Sequence, residues 1–104
     1  IINDAAFARM KPTAMLINVA RGPIIDENAL YRALRDKKIA WAACDVFEKE
    51  PLSESSPLWD LDNIFITSHK SGMGDTWTTF IGQLIQRNLR HYQAGEPLEN
   101  VIPL

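Results

Sequence analysis

The chain has 104 residues, of which 46% are apolar and 23% are charged, and its 11 basic and 13 acidic residues give a formal net charge of −2. This length suits one domain with a core of its own, and the composition excludes the disordered and fibrous classes. The balanced charge argues against nucleic acid as a partner, and no apolar run approaches the roughly 20 residues of a membrane-spanning helix.

The first residues of the chain and its cysteine content suggest how the chain relates to a longer protein and where that protein is found. The chain begins Ile1-Ile2-Asn3, with neither an initiator Met nor the pattern of a signal peptide, so we expect a piece of a longer protein. Its one cysteine, Cys44, has no internal disulfide partner, which fits a cytoplasmic location. The one cysteine and the two histidines have no spacing typical of a metal site.

The first half of the chain has the pattern of a helix, a strand, a second helix and a second strand. Residues 3–10 predict a short helix, capped by Asn3 or Asp4 and ended by Pro12. Residues 14–19 and 39–47 are nearly continuous apolar runs, typical of strands buried on both faces. The helix between them is predicted to start at the cap Asp26. Its buried stripe is Ala29, Leu30, Ala33 and Leu34, with basic Arg35, Lys37 and Lys38 in the last turn.

The second half predicts a loop, a third strand and a long helix. Residues 48–63 form the loop, with one helical turn near Leu58 and Trp59, and residues 64–67 form the strand. The long helix is predicted to be capped by Asp75 and ended by Gly95 and Pro97, before an extended tail of residues 99–104. Its stripe comprises Trp77, Phe80, Ile81, Leu84, Ile85, Asn88, Leu89 and Tyr92.

Three parallel strands with helical crossovers make a piece of an open α/β sheet, in which ligands bind at the carboxyl ends of the strands. Arg21 follows the first strand in the sequence. Asp45 and Glu50 follow the second strand, and His69 follows the third. We therefore expect an arginine, a carboxylate and a histidine to gather at one edge of the sheet.

These three residue types suit the chemistry of a 2-hydroxy or 2-oxo acid. A histidine exchanges protons near neutral pH, and a carboxylate on its second ring nitrogen stabilises the imidazolium. An arginine fork binds a substrate carboxylate at two points. Each residue alone also has an ordinary explanation: Arg21 as a solvated turn residue, Glu50 as a surface residue and His69 as a capping residue. Their convergence on one edge favours a site.

The remaining chemically distinctive residues favour structural roles. His91 lies late in the long helix, where its charge complements the helix dipole. Cys44 lies inside a strand, as a small core residue does. Trp41, Trp59 and Trp77 are expected to pack, and Trp59 is also placed to wall a pocket in the long loop.

Three segments together resemble the motifs of the D-isomer-specific 2-hydroxyacid dehydrogenases. The family's arginine motif is similar to residues 16–26, LINVARGPIID, followed by Ala29 and Leu30. Its glutamate motif is similar to residues 44–52, CDVFEKEPL. Its histidine motif is similar to residues 57–59 (PLW), 63–64 (NI) and 66–72 (ITSHKSG). The resemblance extends from Met10 to Val101.

The resemblance implies a fold, a coenzyme and roles for individual residues. Residues 1–104 would be the carboxyl-terminal half of an NAD- or NADP-binding domain, part of a doubly wound Rossmann-like parallel sheet, without the Gly-rich half and the substrate domain. Arg21 would bind the substrate carboxylate, His69 would be the acid/base and Glu50 would tune His69. Coenzyme contacts are implied for Val19, Ala20, Arg21, Asp45, His69, Ser71 and Gly72. The full-length protein would be an oxidoreductase and a homodimer, and the chain alone would be inactive.

Four positions depart from the family's pattern, although the three key residues are present. Trp41 stands in place of a small residue, and Cys44 in place of an aliphatic one. Beside His69, Ser68 replaces a proline and Lys70 replaces an apolar residue. Two other hypotheses stay open. One is a corepressor-like protein that senses a dinucleotide and assembles partners on the same fold, and the other is a different flavodoxin-like α/β module.

Overall fold

The computed structural model describes residues 1–103, which fall into two units, residues 1–71 and residues 72–103. The first unit contains α1 (Asp4–Phe7), β1 (Met15–Asn18), α2 (Glu27–Arg35), β2 (Trp41–Cys44) and β3 (Ile64–Ile66), with 3-10 turns at Gly22–Ile24 and Pro57–Asp60. The second unit contains α3 (Trp77–Ala94). The predicted order of helices and strands is therefore confirmed.

The three strands form one parallel sheet in the order β1-β2-β3. Met15 lies opposite Trp41, and Ala42 lies opposite Ile64. The chain crosses from β1 to β2 through α2, and from β2 to β3 through the long loop with its single 3-10 turn. The predicted parallel sheet is confirmed, and its carboxyl ends lie together at one edge.

Helix α2 supplies much of the core of the first unit. The carboxylate of Asp26 accepts a hydrogen bond from the N–H of Ala29 at 2.9 Å, so the predicted cap is confirmed. The buried side of the helix is the predicted stripe of Ala29, Leu30, Ala33 and Leu34. It shares a core with Phe7, Ile39, Ala42, Cys44 and Leu58.

The prediction that the strands are buried on both faces is wrong for this chain. Met15 and Ile17 of β1 are 70% and 65% exposed, and Phe65 of β3 is 66% exposed. Successive side chains of a strand point to opposite faces, and the core lies against the face that carries Ala42 and Cys44. For the same reason, Trp41 is half exposed and does not pack as expected.

Two helix ends in the first unit differ from the prediction. Helix α1 ends at Phe7 and not at Met10, because the N–H groups of Arg9 and Met10 bond to carbonyls three residues back, as in a turn. Helix α2 ends at Arg35, because Lys37 has a left-handed φ of 54°. Lys37 and Lys38 thus follow the helix instead of lying in its last turn.

The second unit is helix α3 with a tail fastened to it. The N-cap is Thr76 and not the predicted Asp75, because the helical bonds begin with the carbonyl of Thr76, which accepts from the N–H of Phe80. Gly95, with a left-handed φ of 71°, ends the helix as predicted. Trp77 is half exposed, contrary to the packing role expected for it. Within residues 1–103, no helix has the length and apolar character that a membrane crossing requires.

The prediction of an extended tail is wrong at residues 99 and 100, where the chain bends. Arg87 binds both carboxylate oxygens of Glu99, at 2.9 and 3.1 Å, and Asn88 bonds to the backbone of the same residue. The chain then bends at Asn100, which has a φ of 57°. Leu104 of the predicted tail lies outside the described residues. His91 makes a structural contact, since its Nδ1 bonds to the carbonyl of Pro97, whereas the expected complement to the helix dipole stays a prediction.

Candidate active site

The loops that follow the three strands carry the predicted site residues to one edge of the sheet. Arg21 follows β1, Glu50 follows β2 and His69 follows β3. The structure joins Glu50 and His69 directly through their side chains. The guanidinium of Arg21 is exposed and donates instead to the carbonyl of its neighbour Ala20.

The turn after β1 is held by Asn18, the one polar residue in the apolar run of residues 14–19. Its side chain is buried, accepts from the N–H of Ala20 at 3.2 Å and donates to the carbonyl of Arg21 at 3.1 Å. Asn18 therefore fixes the backbone from Val19 to Arg21. The signal for this role was a polar residue at the end of an otherwise apolar strand.

The loop after β3 is built around the carboxylate of Asp45. This buried side chain accepts hydrogen bonds from the hydroxyl of Thr67 and from the N–H groups of Lys70 and Ser71, at 2.9 and 2.8 Å for the latter two. Its backbone carbonyl accepts from the N–H of His69 at 2.8 Å. The Thr67 hydroxyl and the two N–H groups hold the pKa of Asp45 far below its ordinary value. An ionised carboxylate thus organises residues 67–71.

His69 sits in that loop with a left-handed φ of 54°, a conformation that side-chain-bearing residues rarely adopt. The bonds from the loop to Asp45 keep it there. The side chain is half exposed, and its Nδ1 lies 2.6 Å from Oε2 of Glu50. The imidazole is therefore held at a defined place while one side of the ring stays open to solvent.

Glu50 is the partner that sets the proton arrangement on the imidazole. Its other oxygen, Oε1, accepts from the N–H of Phe47 at 3.0 Å. The hydrogen bond with His69, followed by that with Phe47, lowers the pKa of Glu50. Because Glu50 is ionised near neutral pH, Nδ1 of His69 is the donor in the pair, and Nε2 is the nitrogen left to exchange a proton with a ligand.

A cleft of about 710 Å³ lies beside the Glu50–His69 pair. Both residues line it, and its apolar walls are Phe47, Leu52, Trp59 and Ile66. The predicted role of Trp59 as a pocket wall is confirmed, and its indole N–H donates to the carbonyl of Ser53 at 2.9 Å. An apolar cleft of this size with a few fixed polar groups suits a small organic ligand or the end of a coenzyme.

The other residues expected to contact a coenzyme differ in exposure and in hydrogen bonding. Val19 and Ala20 are exposed in the turn after β1, and the N–H of Ser71 is bonded to Asp45. Gly72 is the first residue of the second unit. Their coenzyme contacts, and that of Asp45, stay predictions. Cys44 is buried, and burial raises the pKa of its thiol to about 11, as expected of a core residue.

We expect Asp45→Asn to destabilise the full-length protein at pH 7, because an amide cannot replace all the acceptor positions of the carboxylate. The pKa of Asp45 is lowered in the folded state. Its stabilising effect is therefore complete above the ordinary aspartate pKa of about 4, and is lost as the pH falls below that value. In thermal unfolding, the loss of Tm in the variant should be largest near neutral pH and should shrink in acid.

The matched control for this prediction is Asp62→Asn, which changes an exposed carboxylate of the same unit. Its Tm should follow that of the unchanged protein across the pH range. A loss of Tm in Asp45→Asn that does not vary with pH would show that the ionised carboxylate is not what holds the loop.

A parallel sheet with a crossover helix, and a cleft at the carboxyl ends of its strands, defines a Rossmann-like α/β protein. The family model described as D-isomer specific 2-hydroxyacid dehydrogenase, NAD binding domain, matches residues 1–71. The chain belongs to this family. The resemblance found in the sequence, the Rossmann-like fold and the NAD or NADP class of coenzyme are thereby confirmed.

Individual relatives agree with the family. A glyoxylate reductase of Korarchaeum cryptofilum is 34% identical over 102 residues, which are 98% of this chain and 31% of that protein. A D-3-phosphoglycerate dehydrogenase of Archaeoglobus fulgidus is 38% identical over 104 residues, which are 100% of this chain and 20% of that protein. The chain thus spans less than a third of the length of these two curated relatives.

A solved structure of a family member has a similar fold. It is a D-isomer-specific 2-hydroxyacid dehydrogenase from Xanthobacter autotrophicus Py2, in complex with NADPH and MES. The two chains are 42% identical and superpose with a TM-score of 0.84, over 98% of this chain and 41% of the other. The likeness therefore covers nearly the whole of this chain.

Proposed function

We propose that the protein containing this chain is an NAD(P)-dependent oxidoreductase that interconverts a small 2-hydroxy acid and the corresponding 2-oxo acid. The observation that carries the proposal is the 2.6 Å hydrogen bond between His69 and Glu50, at the edge of a sheet where Arg21 also lies. An acid/base group, its orienting carboxylate and a cation for a substrate carboxylate are the groups that this reaction uses. The two curated relatives, a glyoxylate reductase and a D-3-phosphoglycerate dehydrogenase, are named for substrates of this class, which supports the proposal.

The chain's own residues fit the reactive end of a dinucleotide. The cleft beside His69 has apolar walls at Phe47 and Trp59 against which a flat ring can lie. The exposed turn at Val19 and Ala20 offers backbone groups at the same edge of the sheet. When bound, NAD(P)H supplies the hydride that reduces C2 of the 2-oxo acid.

His69 and Glu50 supply the proton that reduction of the carbonyl requires. The carboxylate of Glu50 holds Nδ1–H and stabilises the positive charge of the imidazolium. Nε2 then gives its proton to the oxygen at C2 as that oxygen gains negative charge, and it takes the proton back when the hydroxy acid is oxidised. The left-handed backbone of His69, fixed through Asp45, holds the ring in place for this transfer.

Arg21 supplies the positive charge that binds the substrate. Its guanidinium is exposed, and the bond it makes to the carbonyl of Ala20 is to a neutral group. A carboxylate is the stronger acceptor, and the planar fork of arginine binds both of its oxygens. In our proposal Arg21 therefore exchanges the carbonyl of Ala20 for the carboxylate of the substrate.

The test of the proposed function is turnover by the full-length protein. Glyoxylate, hydroxypyruvate and larger 2-oxo acids are offered with NADH and with NADPH, and coenzyme oxidation is followed at 340 nm, roughly the absorption of the reduced nicotinamide. We expect turnover with at least one of the small acids. Binding of the dinucleotide without turnover of any of these acids would contradict an enzyme and favour the corepressor-like alternative.

We expect Glu50→Gln to lower the pH at which reduction of the 2-oxo acid is lost. Reduction needs protonated His69, and the neutral amide no longer stabilises the imidazolium through the 2.6 Å bond. As the pH rises, activity in the variant should therefore disappear at a lower pH than in the unchanged protein. The measurement is kcat against pH with saturating coenzyme and substrate.

The control for this prediction is Glu54→Gln, an exposed glutamate of the same loop. It should have the pH profile of the unchanged protein. An unchanged profile in Glu50→Gln would remove Glu50 from the mechanism and leave its bond to His69 as a structural contact.

We also propose that the full-length protein is a cytoplasmic homodimer, of which this chain is the carboxyl-terminal half of the coenzyme domain. The exposed apolar side chains of Met15, Ile17, Trp41 and Phe65 on one face of the sheet support burial against further protein. The free buried thiol of Cys44 suits a reducing compartment.

A further inference from the structure

Gly22, the residue after Arg21, lies against the backbone of another loop. It is buried, and a Cβ built on it would overlap the carbonyl group of Phe47 and the nitrogen of Glu48. The φ of Gly22 is not in the left-handed region, so glycine is required here for space and not for its backbone conformation. The turn that carries Arg21 therefore packs on the Phe47–Glu48 peptide at a distance that other residues do not permit.

A second connection joins the same two segments. The carboxylate of Glu27, in the first turn of α2, accepts from the N–H of Glu48 at 2.6 Å. In return, the carboxylate of Glu48 accepts from the N–H of Glu27 at 3.4 Å. The segment after β1 and the loop after β2 are thus held together at two adjacent places, one steric and one by hydrogen bonds.

The peptide against Gly22 belongs to a residue that orients the candidate acid/base pair. The N–H of Phe47 donates to Oε1 of Glu50, and Oε2 of Glu50 bonds to His69. The carbonyl against Gly22 and the N–H that binds Glu50 both belong to Phe47, so a shift of the Phe47 backbone would move Glu50 relative to His69. It would also change the separation between Arg21 and both of these residues.

We propose that Gly22 is a positioning residue: its missing side chain lets the Arg21 turn pack on the carbonyl of Phe47, the residue whose N–H holds Glu50 against His69. This inference rests on the proposed function, because it assigns Gly22 to the geometry of the same site. Gly22 acts through its neighbours and touches no reacting atom itself. The effect of changing Gly22 is therefore measured through the pH dependence of reduction, which reports on the Glu50–His69 pair.

The first test is Gly22→Ala in the full-length protein. The added methyl must displace the Phe47–Glu48 peptide, so kcat/KM for the 2-oxo acid should fall roughly 10²-fold, as expected for a misplacement near 1 Å. The pH at which reduction is lost should also move downward, in the direction expected for Glu50→Gln. Gly82→Ala is the matched control, because a Cβ at Gly82 in α3 meets nothing within 4 Å, and its kinetics should be unchanged.

A double variant separates positioning from general damage. If Gly22 acts through Glu50, adding Gly22→Ala to Glu50→Gln should shift the pH profile little beyond the single Glu50→Gln variant. If the methyl only loosens the fold, the effects on the pH profile should be independent and should add. Additive shifts would overturn the proposal.

A third variant covers the case in which Gly22→Ala does not fold, as judged by circular dichroism. Glu27→Ala removes the hydrogen bond to the N–H of Glu48 without adding an atom to the contact. It should shift the pH profile in the same direction, and again little in the Glu50→Gln background. If Glu50→Gln changes the profile while neither Gly22→Ala nor Glu27→Ala does, the positioning role is wrong and the proposed function stands. If Glu50→Gln itself leaves the profile unchanged, Glu50 is outside the mechanism and the positioning role of Gly22 is wrong with it, whereas absence of turnover with every 2-oxo acid would contradict the proposed function itself.

Discussion

Replacement of His69 by alanine in the full-length protein is expected to lower kcat for reduction of a 2-oxo acid by roughly 10²–10⁴-fold, the usual contribution of a general acid. The half-exposed ring lies at the cleft with its Nδ1 against Glu50, and in the proposed mechanism its Nε2 serves the substrate oxygen. Alanine removes the proton donor but keeps the loop, because the bonds that organise residues 67–71 are made by the backbone and by Thr67 to Asp45.

The measurement is steady-state turnover with saturating coenzyme, together with circular dichroism to compare the folds. His91→Ala is the matched control, since this histidine bonds to a carbonyl of the tail in the second unit. It should keep a kcat close to that of the unchanged protein. A His69→Ala variant that is folded and retains most of its kcat would exclude His69 as the acid/base.

What the sequence predicted well depends on contacts between residues near one another in the chain. The cap at Asp26 and the buried stripe of α2 follow from spacings of three and four residues. The left-handed Gly95 that ends α3 is local in the same sense. The parallel sheet followed from the alternation of apolar runs with a crossover segment, so the edge that gathers Arg21, Glu50 and His69 could be predicted as well.

What the sequence could not predict depends on residues far apart in the chain. Whether Met15 and Ile17 are buried depends on whether another element covers their face of the sheet. Their apolar character is the same on a covered face and on an exposed face. Asp45 and Thr67 are 22 positions apart, and their hydrogen bond exists because neighbouring strands bring them together. The contact of Gly22 with Phe47 is between backbones, and a backbone contact leaves no sign in the side chains around it beyond the glycine itself.

The side chain of Arg21 is exposed at its charged end, whereas its backbone is fixed. Its guanidinium is exposed and is not among the groups that line the cleft in residues 1–103. Its backbone, in contrast, is fixed by Asn18 and by the packing of Gly22. A side chain whose backbone is fixed and whose charged end is exposed can change its rotamer when a ligand binds.

We expect Arg21→Lys to lower kcat/KM for the 2-oxo acid by roughly 10²-fold although the positive charge is kept, because a lysine has no planar fork to hold both carboxylate oxygens and so misplaces the substrate. The loss should appear in kcat as well as in KM, since under the proposed function a misplaced 2-oxo acid also presents its carbonyl poorly to His69. Arg9→Lys, at an exposed arginine of the first unit, is the control and should change neither constant. Kinetics of Arg21→Lys close to those of the unchanged protein would make Arg21 a solvated turn residue, and the substrate carboxylate would then need another partner.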